Sequence, residues 1–146
     1  MTREEKIFLD FLSAVNLHDC RPMEMLMADD AVLINEQGKR VNGQENIKFL
    51  WTEHFIKFPD YTIELTTLFV NGNWVGGFGF ACATPGLPTR EKKTFWELPV
   101  ALSALIENAK IKEWHVYSDT MFHPFFWRSD WYDAFPGDHY LKISSN

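Results

Sequence analysis

The chain has 146 residues, which is the length of one domain, and 46% of them are hydrophobic and 16% aromatic, enough to bury a substantial core. A net charge of −6 disfavours a nucleic-acid partner, because such a partner needs a basic face. The sequence has no apolar run of membrane-spanning length, and residues 1–6 lack the apolar segment of a signal peptide. We therefore expect no membrane partner and a cytoplasmic location, where Cys20 and Cys82 would be free thiols rather than a disulfide.

Three helices are predicted before residue 59. Apolar residues recur at helical spacing from Glu4 to Leu17, and Pro22 suits the first turn of a short second helix that exits at Asp29 and Asp30. A short strand and turn follow over residues 31–43. The third helix, residues 44–58, carries one apolar stripe formed by Ile47, Leu50, Trp51, His54, Phe55 and Phe58.

The second half of the chain predicts strands, because its apolar period changes from helical to two. The first of these strands begins at Tyr61, and Asn71-Gly72 signals a hairpin into residues 74–84, where three glycines indicate a bulge, a bend or a close approach. After a loop at 85–93, strands are predicted at 94–107 and 110–120. Helices followed by strands indicate an α+β fold.

The last strand holds the most chemically suggestive pattern in the sequence. Side chains alternate across a strand, so Glu113, His115, Tyr117 and Asp119 share one face. A carboxylate, an imidazole and a phenol in one row can perform acid–base chemistry if the face lines a pocket. If the face meets water, the row is only a solvated strand face.

Several segments together resemble the nuclear transport factor 2-like superfamily, and within it the SnoaL-like group. The resemblance spans roughly residues 3–121 and rests on the order and spacing of five segments. These segments are Asn16-Leu-His-Asp19, Met25-Leu-Met-Ala-Asp-Asp-Ala-Val32, Gly38-Lys-Arg-Val-Asn-Gly-Gln-Glu-Asn-Ile47, Phe58-Pro-Asp60 and Ile111-Lys-Glu-Trp-His-Val-Tyr-Ser-Asp119.

The resemblance implies a cone in which three N-terminal helices pack on a curved, mostly antiparallel sheet around a cavity for a small, largely apolar molecule. Residues 1–121 would form this SnoaL-like domain, and homodimers are common in the family. Residues 122–146 form an aromatic-rich extension, which we expect to pack on the domain or on a dimer partner. The fold hosts isomerases, cyclases, dehydratases, epoxide hydrolases and non-catalytic binders, so it does not give the function by itself.

The residues of this chain can be compared with the catalytic residues of three enzyme groups in the superfamily. The three ketosteroid isomerase roles would fall near Phe11, Asn35 and Leu102, none of which can fill them, and residues 94–107 lack the Arg and Asp of epoxide hydrolases. Asp119 fits the late acid–base Asp of SnoaL-type cyclases, with His115 as a substitute for their His. We expect Asp119 to remove a proton from a carbon next to a carbonyl, while His115 or Tyr117 stabilises the enolate oxygen.

Other candidates carry a weaker signal. Trp51 and His54 on the third helix and Glu97 on the fourth predicted strand are candidate substrate-binding residues, together with Tyr117. Structural interpretations also remain open: His54 as a core histidine, Trp51 as core or pocket wall, Glu97 as a surface or interface carboxylate, and Asp119 as a tie between the last strand and the first helix. The five histidines show no metal-ligand spacing, and we expect neither metal nor cofactor. The alternatives left open are an enzyme, a non-catalytic binder of a small apolar or carbonyl-containing molecule, and a dimeric interaction module.

Overall fold

A computed structural model describes residues 1–84 and 96–118, with Trp96 described by its backbone alone. Three helices and six strands follow in chain order: α1 Arg3–Asn16, α2 Cys20–Leu26, β1 Met27–Ile34, β2 Arg40–Asn42, α3 Gln44–Lys57, β3 Thr62–Asn71, β4 Trp74–Ala83, β5 Trp96–Glu107 and β6 Lys110–Ser118. The predicted loop at 85–93, the residue Asp119 and the aromatic extension at 122–146 lie outside the described residues.

The six described strands form one curved, mixed sheet in the order β2-β1-β6-β5-β4-β3. Strands β3 to β6 make an antiparallel meander, β2 pairs antiparallel with β1, and β1 alone runs parallel to its neighbour β6. The predicted α+β class, with three helices and a mostly antiparallel sheet, is confirmed.

Helix α1 begins with a capping box and covers one face of the sheet. The Thr2 hydroxyl accepts a hydrogen bond from the Glu5 backbone N–H at 3.0 Å, and the Glu5 carboxylate accepts from the Thr2 N–H at 2.9 Å. The apolar stripe of the helix packs on Trp114 of β6, whose ring centroid lies 5.2 Å from that of Phe8 and 4.6 Å from that of Phe11. We call this helix-covered side the inner face of the sheet and the opposite side the outer face.

The exit of α2 differs from the prediction. Met27 is already extended, so β1 starts there, and Asp29 and Asp30 are exposed strand residues rather than a helix exit. The pairing of β1 with β6 is irregular between Met27 and Val32, which lets the two acidic side chains reach the surface, where Asp30 forms an ion pair with Lys112. Asp29 and Asp30 therefore belong to strand β1 and not to the end of a helix.

The glycines of β4 are required by the close approach of β3. A Cβ on Gly79 would lie 1.9 Å from the Glu64 carbonyl oxygen, and one on Gly77 would lie 2.4 Å from the Thr67 carbonyl oxygen. Both contacts occur where the pairing shifts between Leu65 and Thr67. The predicted close approach is confirmed.

Candidate functional site

Three of the four residues predicted to share one face of the last strand, Glu113, His115 and Tyr117, do share a face, and it is the outer face. Tyr117 pairs in register with Ala101, and His115 pairs with Ser103, whereas Trp114 alternates inward to pack under α1. Glu113, His115 and Tyr117 therefore share the face of the sheet that α1 does not cover.

These three side chains form a chain of hydrogen bonds. His115 Nε2 lies 2.9 Å from Glu113 Oε1, and the Tyr117 hydroxyl lies 3.2 Å from His115 Nδ1. The indole ring of Trp74 lies beside the imidazole, with 5.8 Å between ring centroids, and the His115 side chain is only 15% exposed. The Glu113 side chain is 33% exposed and Tyr117 is 52% exposed, so the imidazole is the most covered of the three groups.

An open groove of about 600 Å³ begins at the Tyr117 phenol. Its walls include Thr66, Phe78, Phe80, Pro99, Ala101 and Tyr117. This volume is within the range typical of small-molecule sites. None of the described residues that line the groove is charged.

A second cluster of aromatic side chains lies under α3 on the helix side of the sheet. We call it the α3 cluster, and its members are His18, Trp51, His54, Phe55, Phe58 and Tyr61. His18 has a positive φ of 56°, which turns its ring onto Phe55 at a centroid distance of 4.1 Å. Its Nε2 donates a hydrogen bond to the Tyr61 carbonyl oxygen at 2.7 Å, since a carbonyl can only accept.

His54 is surrounded by aromatic rings in this cluster, with centroid distances of 4.3 Å to Tyr61 and 5.1 Å to Phe58. Burial is the main cause that lowers the pKa of His54 from 6.5 to about 3, and nearby His18 and Lys57 lower it further, so the ring is neutral at neutral pH. The residue as a whole is half-buried, but its Nε2 atom is fully buried.

Two nitrogens of the α3 cluster stand out because they are buried without a hydrogen-bond partner in the described part of the chain. They are His54 Nε2 and the indole Nε1 of Trp51, a residue that is 6% exposed. Buried polar atoms are nearly always paired, so each such atom needs an explanation. Burial also raises the pKa of Tyr61, which keeps its phenol neutral.

The structure thus places the predicted site residues in two groups on opposite sides of the sheet. His115 and Tyr117 lie together on the outer face, and Trp51 and His54 lie together in the α3 cluster. Glu97 is an exposed outer-face residue that pairs in register with Cys82, and Asp119 lies outside the described residues. Sequence reasoning missed His18 and Tyr61, because a histidine at a helix end gives no sign that its ring will turn inward.

Across residues 1–84 and 96–118, no group of three or more His, Cys, Asp or Glu side chains is arranged to hold a metal ion. Within the same residues, no helix has both the length and the hydropathy that a bilayer crossing requires. Both cysteines, Cys20 and Cys82, are free.

Comparison with known proteins identifies the family. Residues 8–114 match the model of the SnoaL-like domain. The chain belongs to this SnoaL-like family. No curated protein matches the sequence.

Solved structures agree with this SnoaL-like fold. A candidate SnoaL-like polyketide cyclase from Shewanella putrefaciens CN-32 is 16% identical, with a TM-score of 0.72 over 82% of this chain and 91% of the other. A hypothetical protein with a ketosteroid isomerase-like fold from Catenulispora acidiphila DSM 44928, in complex with trimethylamine, is 17% identical, with a TM-score of 0.66 over 76% and 83% of the chains. At these identities the likeness establishes the fold alone.

Proposed function

We propose that this SnoaL-like protein binds a small, neutral, largely apolar molecule in the α3 cluster, and that the molecule carries a carbonyl or hydroxyl oxygen. The observation that supports this proposal is the pair of buried nitrogens, Trp51 Nε1 and His54 Nε2, that lack a partner in the described residues. Leaving a buried donor unpaired costs roughly 1–3 kcal/mol, so a site that contains two such atoms gains affinity for a ligand that pairs with them.

The chemistry of the two nitrogens defines the class of ligand. An indole N–H can only donate, so Trp51 selects an acceptor oxygen. The imidazole of His54 is neutral, because burial holds its pKa near 3, and a neutral ring can either donate or accept at Nε2. The rings around His54 supply flat apolar surface, which favours an aromatic or cyclic molecule. The likeness to a candidate polyketide cyclase is consistent with a ligand of this kind.

The proposal can be tested with prodan, a neutral naphthalene fluorophore that carries one carbonyl oxygen and whose emission reports the polarity around it. Wild-type protein should bind prodan more tightly than dimethylaminonaphthalene, which has the same ring and no carbonyl. Trp51→Phe keeps the ring surface and removes the donor, so it should weaken prodan binding roughly fivefold and leave the carbonyl-free compound unaffected.

The matched control is Trp74→Phe, which makes the same change on the outer face and should leave both affinities unchanged. His54→Phe should reduce the preference for prodan in the same way as Trp51→Phe. Equal binding of prodan by wild type, Trp51→Phe and His54→Phe would contradict the proposed site.

A second candidate function is acid–base catalysis by Asp119 and His115, in which Asp119 takes a proton from carbon next to a carbonyl. The observation in its favour is that His115 is held between Glu113 and Tyr117, as a catalytic imidazole is held in many enzymes. The test is Asp119→Asn in an enolisation assay, such as deuterium exchange into the methyl group of acetylnaphthalene. Exchange that proceeds equally fast in the variant and in wild type would exclude the role of Asp119.

The remaining predictions concern Glu97, the oligomeric state, residues 122–146 and the cellular location. A role for Glu97 in binding predicts that Glu97→Gln weakens prodan binding, and an exclusively structural role predicts no change. The homodimer can be tested by sedimentation equilibrium over a range of protein concentrations. The packing of residues 122–146 and the cytoplasmic location are likewise proposals.

A further inference from the structure

We propose that the aromatic segment at residues 122–135 of this chain docks on the solvent-facing side of helix α3. We call this surface the α3 outer stripe, and it consists of Phe49, Thr52 and Ile56. The stripe lies on the side of the helix away from the α3 cluster, so the proposal does not depend on the proposed binding function. It assigns one surface of the same chain to a segment that the sequence predicts to pack on the domain or on a partner.

Helix α3 carries apolar side chains on two sides, and only one side is covered by the described residues. Trp51 and Phe55 are buried, whereas Phe49 is 66% exposed and Ile56 is 64% exposed. Phe49, Thr52 and Ile56 follow one another at spacings of three and four residues, so they form one stripe along the helix. A surface helix is expected to be polar on the side that meets water, so an apolar stripe there indicates a surface that another segment covers.

The connection from α1 into α2 adds to this exposed surface. Cys20 Sγ lies 3.6 Å from Thr52 Oγ1, which places the start of α2 beside the stripe. Leu17, at the end of α1, is 75% exposed, and the ring of the next residue, His18, stacks on Phe55 of α3. Two neighbouring segments therefore contribute exposed apolar side chains, and the docking surface is wider than a single helix.

The described part of the chain ends near the stripe. Ser118 of β6 pairs with Val100 of β5, and Thr62, the first residue of β3, pairs with Cys82 of β4. These pairings place the end of β6 and the start of β3 at the same end of the sheet. Ile56 lies in the last turn of α3, a few residues before Thr62, so the stripe reaches this end as well. Three strand spacings separate β6 from β3, or about 15 Å.

Residues 119–146 are long enough to reach the stripe from that point. At about 3.3 Å per residue, this length of chain extends up to roughly 90 Å, several times the distance between β6 and β3. Its aromatic segment contains Phe122, Phe125, Phe126, Trp127, Trp131, Tyr132 and Phe135. Burial of aromatic side chains is strongly favourable, and attachment to the same chain gives an effective concentration that a separate molecule lacks. These two advantages favour this segment over a second copy as the occupant of the stripe.

The experiment attaches a nitroxide spin label to the full chain, because the label broadens the NMR signals of nuclei close to it. Cys20 and Cys82 are replaced by serine, and the label is attached through Ile56→Cys in the stripe. A control label is attached through Lys6→Cys, near the start of α1. That position lies about 15 Å along the helix from Asn16, where α1 meets the start of β3.

Fluorine-labelled tryptophan provides the signals, and those of Trp127 and Trp131 are assigned by replacement of each residue with phenylalanine. With the label at position 56, both signals should lose most of their intensity, and with the label at position 6 they should keep it. Phe49→Glu should restore the two signals, because a carboxylate in the stripe opposes the burial of aromatic rings. Met25→Glu makes a similar change at a residue that is 65% exposed outside the stripe, and it should leave the loss unchanged.

A mixed sample distinguishes docking within one chain from docking between copies. Spin-labelled protein without fluorine is mixed with fluorine-labelled protein that carries no spin label, and the signals of Trp127 and Trp131 should keep their intensity. Loss of intensity in this mixture would assign the stripe to a second copy and overturn the proposal. Full intensity with the label at position 56 of the same chain would overturn it as well, as would a loss that Phe49→Glu does not relieve.

Discussion

Asn16 and Ile63 are joined by two hydrogen bonds that tie the end of α1 to the start of β3. The Asn16 side-chain oxygen accepts from the Ile63 N–H at 2.8 Å, and its amide donates to the Ile63 carbonyl at 2.9 Å. The segment just before Ile63 contains Tyr61, whose carbonyl receives the hydrogen bond from His18. This paired contact therefore fixes one wall of the α3 cluster.

Replacement of Asn16 should therefore lower the free energy of unfolding by more than the loss of an ordinary surface contact does. Asn16→Ala leaves two backbone groups of buried Ile63 without partners, and we expect a loss of about 2 kcal/mol in the free energy of unfolding. Urea denaturation measures it. The control is Asn46→Ala, which removes one exposed hydrogen bond to the Asn42 carbonyl and should cost less than about 1 kcal/mol. Equal losses in the two variants would contradict this role.

His54 should make the stability of the protein depend on pH. The unfolded chain protonates His54 near pH 6.5, whereas burial delays protonation in the folded state to about pH 3. The stability that depends on a neutral His54 is therefore complete above pH 6.5 and is lost as the pH falls towards 3, by up to about 1.4 kcal/mol per pH unit.

The measurement compares urea denaturation of wild type and His54→Phe at several pH values between 7 and 4. Other titrating groups are common to both proteins and cancel in the difference. The variant should become more stable relative to wild type as the pH falls. A difference that stays constant over this range would show that His54 is not held neutral by burial.

Two tryptophans on opposite faces of the sheet should respond differently to truncation. Trp114 is 2% exposed and packs against Phe8 and Phe11, so Trp114→Ala should cost about 3–5 kcal/mol in unfolding free energy. Trp74 is 41% exposed, and Trp74→Ala should cost less than half as much. Thermal or urea unfolding provides the comparison, and similar losses would mean that the outer face is as buried in solution as the inner one.

Gly79 provides a test of the strand contact. Gly79→Ala would bring a Cβ to 1.9 Å from the Glu64 carbonyl oxygen, so the β3–β4 pairing must shift, at a cost of about 3 kcal/mol. Gly38→Ala places a Cβ where nothing lies within 4 Å, and its cost of about 1 kcal/mol arises only from the positive φ of 80°. If Gly38→Ala were the more damaging variant, the close approach of the strands would be contradicted.

Much of the fold was predictable because it depends on local patterns. The apolar stripe of α1, the Asn71-Gly72 hairpin and the alternation of β6 each specify an element through spacing alone. The start of β1 at Met27 was not predictable, because it depends on the parallel pairing with β6, which is distant in sequence. For that reason the sequence predicts a helix exit at Asp29 and Asp30, where the structure has a strand.

The candidate site was also predictable only where it depends on local spacing. Alternation placed Glu113, His115 and Tyr117 on one face correctly, but spacing cannot tell which face the helices will cover. The contacts of Trp114 with Phe8 and Phe11 show that α1 covers the face opposite to this row. The helical stripe likewise grouped Trp51 with His54, whereas the contribution of His18 depends on a positive φ that no sequence period reveals.

A crystal structure of the purified protein, read for density at the α3 cluster, tests the central claim most directly. The proposal predicts a bound molecule with an oxygen within hydrogen-bond distance of Trp51 Nε1 and a polar atom within reach of His54 Nε2. If the density showed no bound molecule and both nitrogens were instead paired with groups of the protein itself, the proposed binding function would be contradicted.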